Sequence, residues 1–442
     1  MTPTIFIVFG ATGDLFQRKI LPALQSLRVK GLLPKRFAIV AYGRRQFDDA
    51  DFRHFVEHAV PSVDDDFLSY LSYVQGEFAD AEGYARLKEH CKAIDDRFGQ
   101  CTNKLFYCAV PPENYSAIFK GLAGSGMTIP CSDETGWTRI LVEKPFGKDM
   151  KTARALDREL ARSFKETQIF RIDHYLAKET VQNILAFRES NPLFETVWSK
   201  AYIKKVEITL FETLDVSRRA DFYDGVGALR DVGQNHILQM LALIAMDLPK
   251  DFTSGKLVRE ARAKVLSAIK PSAKPTDYVR ARYEGFEKEK GVAAGSDTET
   301  FFSLVAYVQS SRWRNVPFQI SAGKALDQTI AEIKISFSLE NVLVFRIQPR
   351  EAVTLSIRMK KPGFDNQTVV TPLVFEYAQG LPDARISDAY EKVLLDAVVG
   401  DQTLFASSKE VEAGWDFVAK ALSHMKKTLL KTYKKGSKPQ EI

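Results

Sequence analysis

Ile5-Phe-Ile-Val-Phe-Gly-Ala-Thr-Gly-Asp-Leu15 is the stretch that decides the fold. Five consecutive apolar residues are too few for a core helix and suit a strand buried on both faces. Gly10 and Gly13 follow at once, and an amphipathic helical pattern runs from Lys19 to Val29. Strand, glycine turn and helix in that order form the setting in which backbone amides approach a pyrophosphate. Two glycines three apart also suit a plain tight turn, and Phe16 stands where a third small residue is usual, so the turn is expected to be built differently.

Phe37–Tyr42, Leu105–Val110 and Arg139–Val142 are further apolar runs separated by helical patterns. Such alternation predicts a parallel, doubly wound sheet. From about Val206 the texture changes to period-two runs: Val206–Leu210, Phe302–Tyr307, Ile330–Phe337, Val342–Ile347 and Val353–Ile357. These predict a large, mostly antiparallel sheet with helices, hence an α/β plus α+β chain of two domains, 1–175 and 176–442. Lys270–Thr276 and Lys288–Asp297 are expected to be surface loops.

The 442 residues, 45% hydrophobic and 27% charged, have ordinary globular composition. No run approaches the roughly 18 apolar residues of a membrane span, and no basic leader precedes the first strand, so a cytoplasmic location is expected. The formal charge of +6 comes from a mixed surface with lysines gathered near the C-terminus. Without interleaved aromatics these predict a solvated helix face and frayed tail, and neither nucleic acid nor membrane is expected as a partner. Cys91, Cys101, Cys108 and Cys131 show no paired spacing and are expected to be reduced, with no metal site.

The chemistry-bearing residues fall in a few segments. Arg171-Ile-Asp-His-Tyr-Leu-Ala-Lys178 packs an acid, an imidazole, a phenol and an ammonium together. If it opens a helix, His174 and Lys178 share a face and a phosphate pocket results; a helix start facing water is the alternative. Glu143-Lys-Pro-Phe-Gly147 follows a strand, which places Lys144 at the carboxyl edge of the parallel sheet where such folds bind ligands. His236 lies in the apolar helical run Asp231–Met240, as a core histidine or as a base. Lys324 follows a glycine between two strand patterns. The second strand of the first domain ends in Arg44-Arg45, where guanidiniums suit a 2′-phosphate, favouring NADP, with NAD the weaker alternative.

Together these segments resemble the glucose-6-phosphate dehydrogenase family: Gly10–Leu15, Glu143–Gly147, Arg171–Glu179, Asp231–Gln239, Val316-Pro-Phe318 with Gly323–Leu326, and Arg346-Ile-Gln-Pro349, in family order. The resemblance implies an N-terminal Rossmann domain, a β+α substrate and dimerisation domain, and oxidation of D-glucose 6-phosphate to the 1,5-lactone with NADP. That is the first step of the oxidative pentose phosphate pathway. It further implies a homodimer or dimer of dimers. The phosphate trio falls on His174, Tyr175 and Lys178, other substrate contacts on Glu212, Asp231, Lys324 and Lys144, and the base on His236. Asp173 is expected to hydrogen-bond the base, as in a triad without its serine. The cofactor is expected on Gly10, Ala11, Thr12, Gly13, Asp14, Leu15, Arg44, Tyr115 and Lys144. Glucose-fructose oxidoreductases share Glu-Lys-Pro after a strand but would not explain the phosphate trio. The chain departs from the family at Phe16, at Ala177 in place of glycine, at Thr329 in place of a substrate-side arginine, and at Gly233, which inside a helix costs about 1 kcal/mol relative to Ala.

Overall fold

The computed structural model describes residues 1–132, 135–381 and 386–442. Two compact units divide the chain: Met1–Gly147, Lys151–Ala177 and Ser387–Ser408 form the first, and Lys148–Met150, Lys178–Ile386 and Lys409–Ile442 the second.

The first unit holds six parallel strands: β1 (Thr4–Phe9), β2 (Phe37–Gly43), β3 (Leu71–Gln75), β4 (Asn103–Cys108), β5 (Thr138–Val142) and β6 (Ile169–Ile172). Their order is β6-β5-β4-β1-β2-β3, the doubly wound arrangement whose carboxyl edge receives ligands. Every residue of β1 and β2 is buried, which explains why these strands read as continuous apolar runs. A single cut after residue 175 misses the return of Ser387–Ser408 to this unit. Phe405–Ala406 adds an antiparallel edge beside β6, with Phe405 opposite Ile172. Val393, Leu394 and Ala397 of the helix Ala389–Val399 join the first core beside Leu24 and Leu27. Nothing local to residues 387–408 announces that long-range packing. Cys101 and Cys131 are joined as a disulfide, with Cα atoms 6.6 Å apart, against the expectation of four reduced thiols. The cause is again tertiary, since the chain on either side of them meets where Lys104 of β4 pairs with Thr138 of β5. Cys91 and Cys108 are buried thiols.

The second unit is built on a ten-stranded sheet. Its strands are β7 (Ile203–Phe211), β8 (Ile269–Pro271), β9 (Tyr278–Tyr283), β10 (Phe301–Val308), β11 (Phe318–Gly323), β12 (Ile330–Phe337), β13 (Val342–Gln348), β14 (Ala352–Lys360) and β15 (Thr368–Glu376), followed by Leu430–Tyr433. Most pairs are antiparallel; β7 with β11 and Leu430–Tyr433 with β9 are parallel. Alternating burial along β12 and β13 matches the period-two pattern of their sequence. One expected loop is partly strand, since Lys270 lies in β8 opposite Tyr307, and the C-terminal tail is not frayed but pairs through Leu430–Tyr433. Tyr433 is the reason, since it is buried and its hydroxyl donates to the carbonyl of Lys324.

One helical segment organises this unit. The π-helix Leu229–Ile237 continues directly into the α-helix Leu238–Ala245, all eight residues of which are buried. Its last carbonyls are satisfied by side chains rather than by a glycine cap. Trp198 Nε1 donates to Ile244 O at 2.8 Å and Trp313 Nε1 to Ala245 O at 2.7 Å. Arg188 donates to Leu243 O and Met246 O at 2.8 and 2.9 Å and grips Glu195 with its remaining donors. Arg188 has no exposed surface, so removing it leaves two buried carbonyls without their donors, while Glu195, partly exposed, keeps its ion pair with Arg312. Arg188→Leu is therefore expected to cost about 2–5 kcal/mol, mostly from the orphaned carbonyls, measured as a lower urea midpoint followed by tryptophan fluorescence.

Candidate active site

In the first unit, Gly10 ends β1 with φ +86°, and a Cβ there would lie 2.4 Å from the carbonyl oxygen of Ala109. Only glycine fits, because the turn runs against the backbone leaving β4. Gly13 N donates to Gly10 O at 2.9 Å, and the helix opens at Asp14 and Leu15. Ala11 is buried and Thr12 is half-buried. Phe16 is fully buried, 6.3 Å from the ring of Phe52, and begins the π-turn Phe16–Ile20. The wider turn takes a large core side chain where the usual turn takes a small one. Arg44 stands exposed directly after β2, and Arg45 beside it lies over the Phe55 ring at 5.2 Å. A glycine turn with no room for side chains, a helix start and an exposed guanidinium at the end of β2 fit a dinucleotide. Tyr115 is the residue expected beside the cofactor. It is fully buried and donates to the carbonyl of Glu143 at 3.0 Å.

Lys144 follows Glu143 at the end of β5, at the carboxyl edge of the sheet. The Glu143 carboxylate accepts from Tyr107 at 2.6 Å, and the Tyr390 phenol of the returning helix lies beside it. Withdrawal from water pushes its pKa up to about 7, against the opposing pull of those phenols and of Lys144. The Asp173 carboxylate accepts from the backbone N–H of Tyr175 at 3.1 Å, and Leu176 N donates to Asp173 O at 3.0 Å. These bonds fold residues 173–177 into a turn, so the helix opens only at Glu179 and His174 and Lys178 do not share a helix face. Asp competes for backbone donors in this way readily, and the turn wins. The His174 ring lies 5.1 Å from that of buried Tyr175 and 6.4 Å from that of Tyr390.

In the second unit, Lys178 occupies the N-cap position of the helix Glu179–Ser190 without a side-chain cap bond, and its Nζ donates to Oε1 of Gln348 at the end of β13. Lys324, at the end of β11, is 6% exposed. Its Nζ meets the carboxylate of Glu212 and lies 3.3 Å from Asp231 Oδ2. The backbone brackets this cluster, with Glu212 N donating to Gly323 O at 2.9 Å and Leu326 N to Glu212 O at 3.0 Å. Three expected substrate residues from three distant segments thus converge. Asp231 and His236 share the π-helix, where Asn235 Nδ2 donates to Asp231 O at 2.9 Å; His236 is 1% exposed. A Cβ on Gly233 would lie 3.2 Å from the Phe302 ring and 2.8 Å from Leu229, so the glycine lets the π-helix press against β10. The hydroxyl of Thr329 accepts from Thr213 N at 3.1 Å and steadies the chain beside Glu212. A cavity of about 380 Å³ bounded by Asp247, Leu248, Lys250 and Lys264 contains none of the expected site residues.

The sequence missed Tyr107, Tyr390, Glu299 and Gln348. Glu299 accepts from Leu229 N at 3.1 Å and so caps the π-helix. Gln348 sits inside the quoted Arg346–Pro349 run, which was the available signal; Tyr390 has no local motif.

A dinucleotide turn on a parallel sheet, followed by a large sheet carrying a Lys–Glu–Asp cluster, defines a nicotinamide-dependent oxidoreductase. Residues 7–183 match the family model "Glucose-6-phosphate dehydrogenase, NAD binding domain", and residues 185–441 match its C-terminal domain. "Glucose-6-phosphate 1-dehydrogenase 2" of Mycobacterium bovis is 37% identical over 96% of this chain and 88% of its own length. The Bacillus subtilis glucose-6-phosphate 1-dehydrogenase is 36% identical over 98% and 94%. A solved glucose-6-phosphate dehydrogenase in complex with its substrate glucose-6-phosphate superposes with a TM-score of 0.90 at 32% identity, covering 98% of this chain and 95% of that one. The 3-ketoreductase KijD10, at 12% identity and a TM-score of 0.54, shares the fold alone. This chain belongs to the glucose-6-phosphate dehydrogenase family.

Glu143 gives the first unit a pH signature. Its folded pKa lies above the ordinary value of 4.5. The folded chain therefore holds a proton that the unfolded chain releases, and this stabilisation is complete below pH 4.5 and is lost as pH rises through about 7. Relative to wild type, Glu143→Gln is expected to gain stability, on the order of 1–3 kcal/mol, as pH rises from 5 to 8. Thermal melts at stepped pH check this, and a difference that stays constant with pH contradicts it.

Proposed function

We propose that this chain oxidises D-glucose 6-phosphate to 6-phospho-D-glucono-1,5-lactone, with NADP as the hydride acceptor. The convergence of Lys324, Glu212 and Asp231 carries this reading, set in a chain that matches both domains of the family. A sugar ring offers several hydroxyl donors, and two carboxylates around one ammonium leave acceptor capacity to receive them.

The reaction removes a proton from O1 and a hydride from C1 of the cyclic sugar. We assign the proton to His236, because an imidazole is suited to general base work near neutral pH. The buried setting of its ring excludes water that would compete for that role. Asp173 is assigned as the carboxylate that serves the base, and His174, Tyr175 and Lys178 as ligands of the phosphate group. Lys144, at the end of β5, is assigned to sugar and nicotinamide together, where one cation holds both reactants in attack geometry. The bound dinucleotide supplies the two-electron acceptor. Gly10 to Leu15 hold its pyrophosphate with backbone amides, and Arg44 selects the 2′-phosphate.

A homodimer is supported by β15, which leaves Val369, Leu373 and Phe375 exposed on one face and Val370 and Val374 on the other. A cytoplasmic site of action is part of the same proposal; among the described residues no helix is long and apolar enough to cross a membrane.

The direct test follows absorbance at 340 nm with glucose 6-phosphate or free glucose against NADP or NAD. We expect phosphorylated sugar with NADP to be preferred; a preference for free glucose refutes the proposal. His236→Asn is expected to lose turnover by about 10³-fold or more with little change in the substrate dissociation constant, and near-normal turnover removes the base assignment. Arg44→Ala is expected to raise the KM for NADP at least tenfold more than that for NAD, the loss of a charge-assisted phosphate contact of about 1.5–3 kcal/mol. Equal effects on the two cofactors would remove Arg44 from the specificity assignment.

A further inference from the structure

We propose that Glu143 is a positioning residue for the oxidation reaction, a single carboxylate that fixes Lys144 on one side and, through Tyr390, the ring of His174 on the other. The inference rests on the function proposed above and deepens it. The Glu143 side chain accepts from Tyr107 of β4 and lies beside the phenol of Tyr390 of the returning helix, while its main-chain carbonyl accepts from Tyr115. Three phenols from three separate elements thus converge on one residue. Such attachment at side chain and backbone leaves the end of β5 little freedom, and Lys144 is the next residue.

Tyr390 carries the constraint onward. Its ring lies 6.4 Å from that of His174 and nearly parallel to it, at 16°. The helix that bears Tyr390 is itself anchored, because Asp388 caps it by accepting from Tyr390 N at 2.9 Å and takes an ion pair from Lys19 at 2.8 Å. Moving the Tyr390 hydroxyl off Glu143 therefore frees the ring behind His174 without unfolding the helix. Neither Tyr107 nor Tyr390 belongs to the expected site, and a core phenol could fill the same volume as phenylalanine. Both hydroxyls instead face Glu143. A carboxylate kept at a withdrawn position despite its raised pKa is also a poor choice for stability alone, since glutamine would fill the same space uncharged. Groups that cost stability and persist beside reactive residues are expected where function requires them.

The test uses the full-length chain and glucose 6-phosphate with NADP, with Glu143→Gln, Tyr390→Phe and their double variant. Glu143→Gln is expected to lose 10- to 100-fold in kcat while the KM for NADP stays within twofold and the chain melts cooperatively at pH 8, no lower than wild type. Tyr390→Phe is expected to raise the KM for glucose 6-phosphate three- to tenfold. Because both act through one contact, the double variant should be no worse than Glu143→Gln alone. Turnover of Glu143→Gln within twofold of wild type, or multiplying losses in the double variant, overturns the inference while leaving the proposed function intact. Should Glu143→Gln fail to fold, Tyr107→Phe and Tyr390→Phe carry the test, and wild-type kinetics in both overturns it. A wild-type chain that does not oxidise glucose 6-phosphate overturns the proposed function and this inference together.

Discussion

The second unit depends on satisfying the ends of one buried helix. A helix leaves backbone donors at its start and acceptors at its end, and those from Leu229 to Met246 lie where water does not reach most of them. Glu299 supplies an acceptor to Leu229, while Arg188, Trp198 and Trp313 supply donors to four successive carbonyls from Leu243 to Met246. These partners come from the segment just before β10, from the helix Glu179–Ser190 and from two loops, so the segment is tied to much of the unit around it. The placement of Asp231 and His236 follows from that clamping. A π-helix is uncommon and recurs at functional positions, because it turns side chains away from the angles a regular helix would give them. Here Gly233 keeps the segment close to β10, since a Cβ would lie 3.2 Å from the Phe302 ring and would push that ring aside. What costs about 1 kcal/mol as intrinsic helix propensity is tied to close packing once the neighbouring strand is in view.

The first unit solves a different problem. Its parallel strands are buried on both faces, so polar chemistry is confined to the ends of the strands. Gly10 at the end of β1, Arg44 just beyond β2 and Lys144 just beyond β5 occupy that carboxyl edge. Glu143 is the exception, a carboxyl drawn inward and held by tyrosines. The low polarity that raises its pKa also strengthens its hydrogen bonds. Its neighbours are consequently more rigid than surface residues would be.

Strand content was legible in the sequence because both sheets write their burial into periodicity. The continuous apolar runs of β1 and β2 and the alternation of β12 and β13 are local patterns with one structural meaning. Glycine chemistry at Gly10 and the position of Lys144 after β5 were legible for the same reason. The turn at Asp173 was not, because the same residues suit a helix start until the carboxylate chooses the Tyr175 amide. Ser387–Ser408 and the Cys101–Cys131 pair were invisible since their partners lie far off in the chain. Tyr390 was missed on similar grounds: the carboxylate beside its hydroxyl is 247 positions earlier, and no spacing rule spans that distance.

The cluster of Lys324, Glu212 and Asp231 raises a question of charge that bears on substrate choice. One ammonium, nearly withdrawn from water, faces two carboxylates, so the group carries a net negative charge where a sugar phosphate, itself an anion, is proposed to bind. That is tolerable only if the phosphate and the ring are received in different places. The assignment of the phosphate to His174, Tyr175 and Lys178 makes that separation. The ring then meets acceptors matched to its hydroxyls, and the phosphate meets donors. Free glucose would lose the second set, and an anion without ring hydroxyls would meet only repulsion from the first. Discrimination by unpaired polar groups of this kind is stronger than discrimination by size, because each orphaned group costs its desolvation in full.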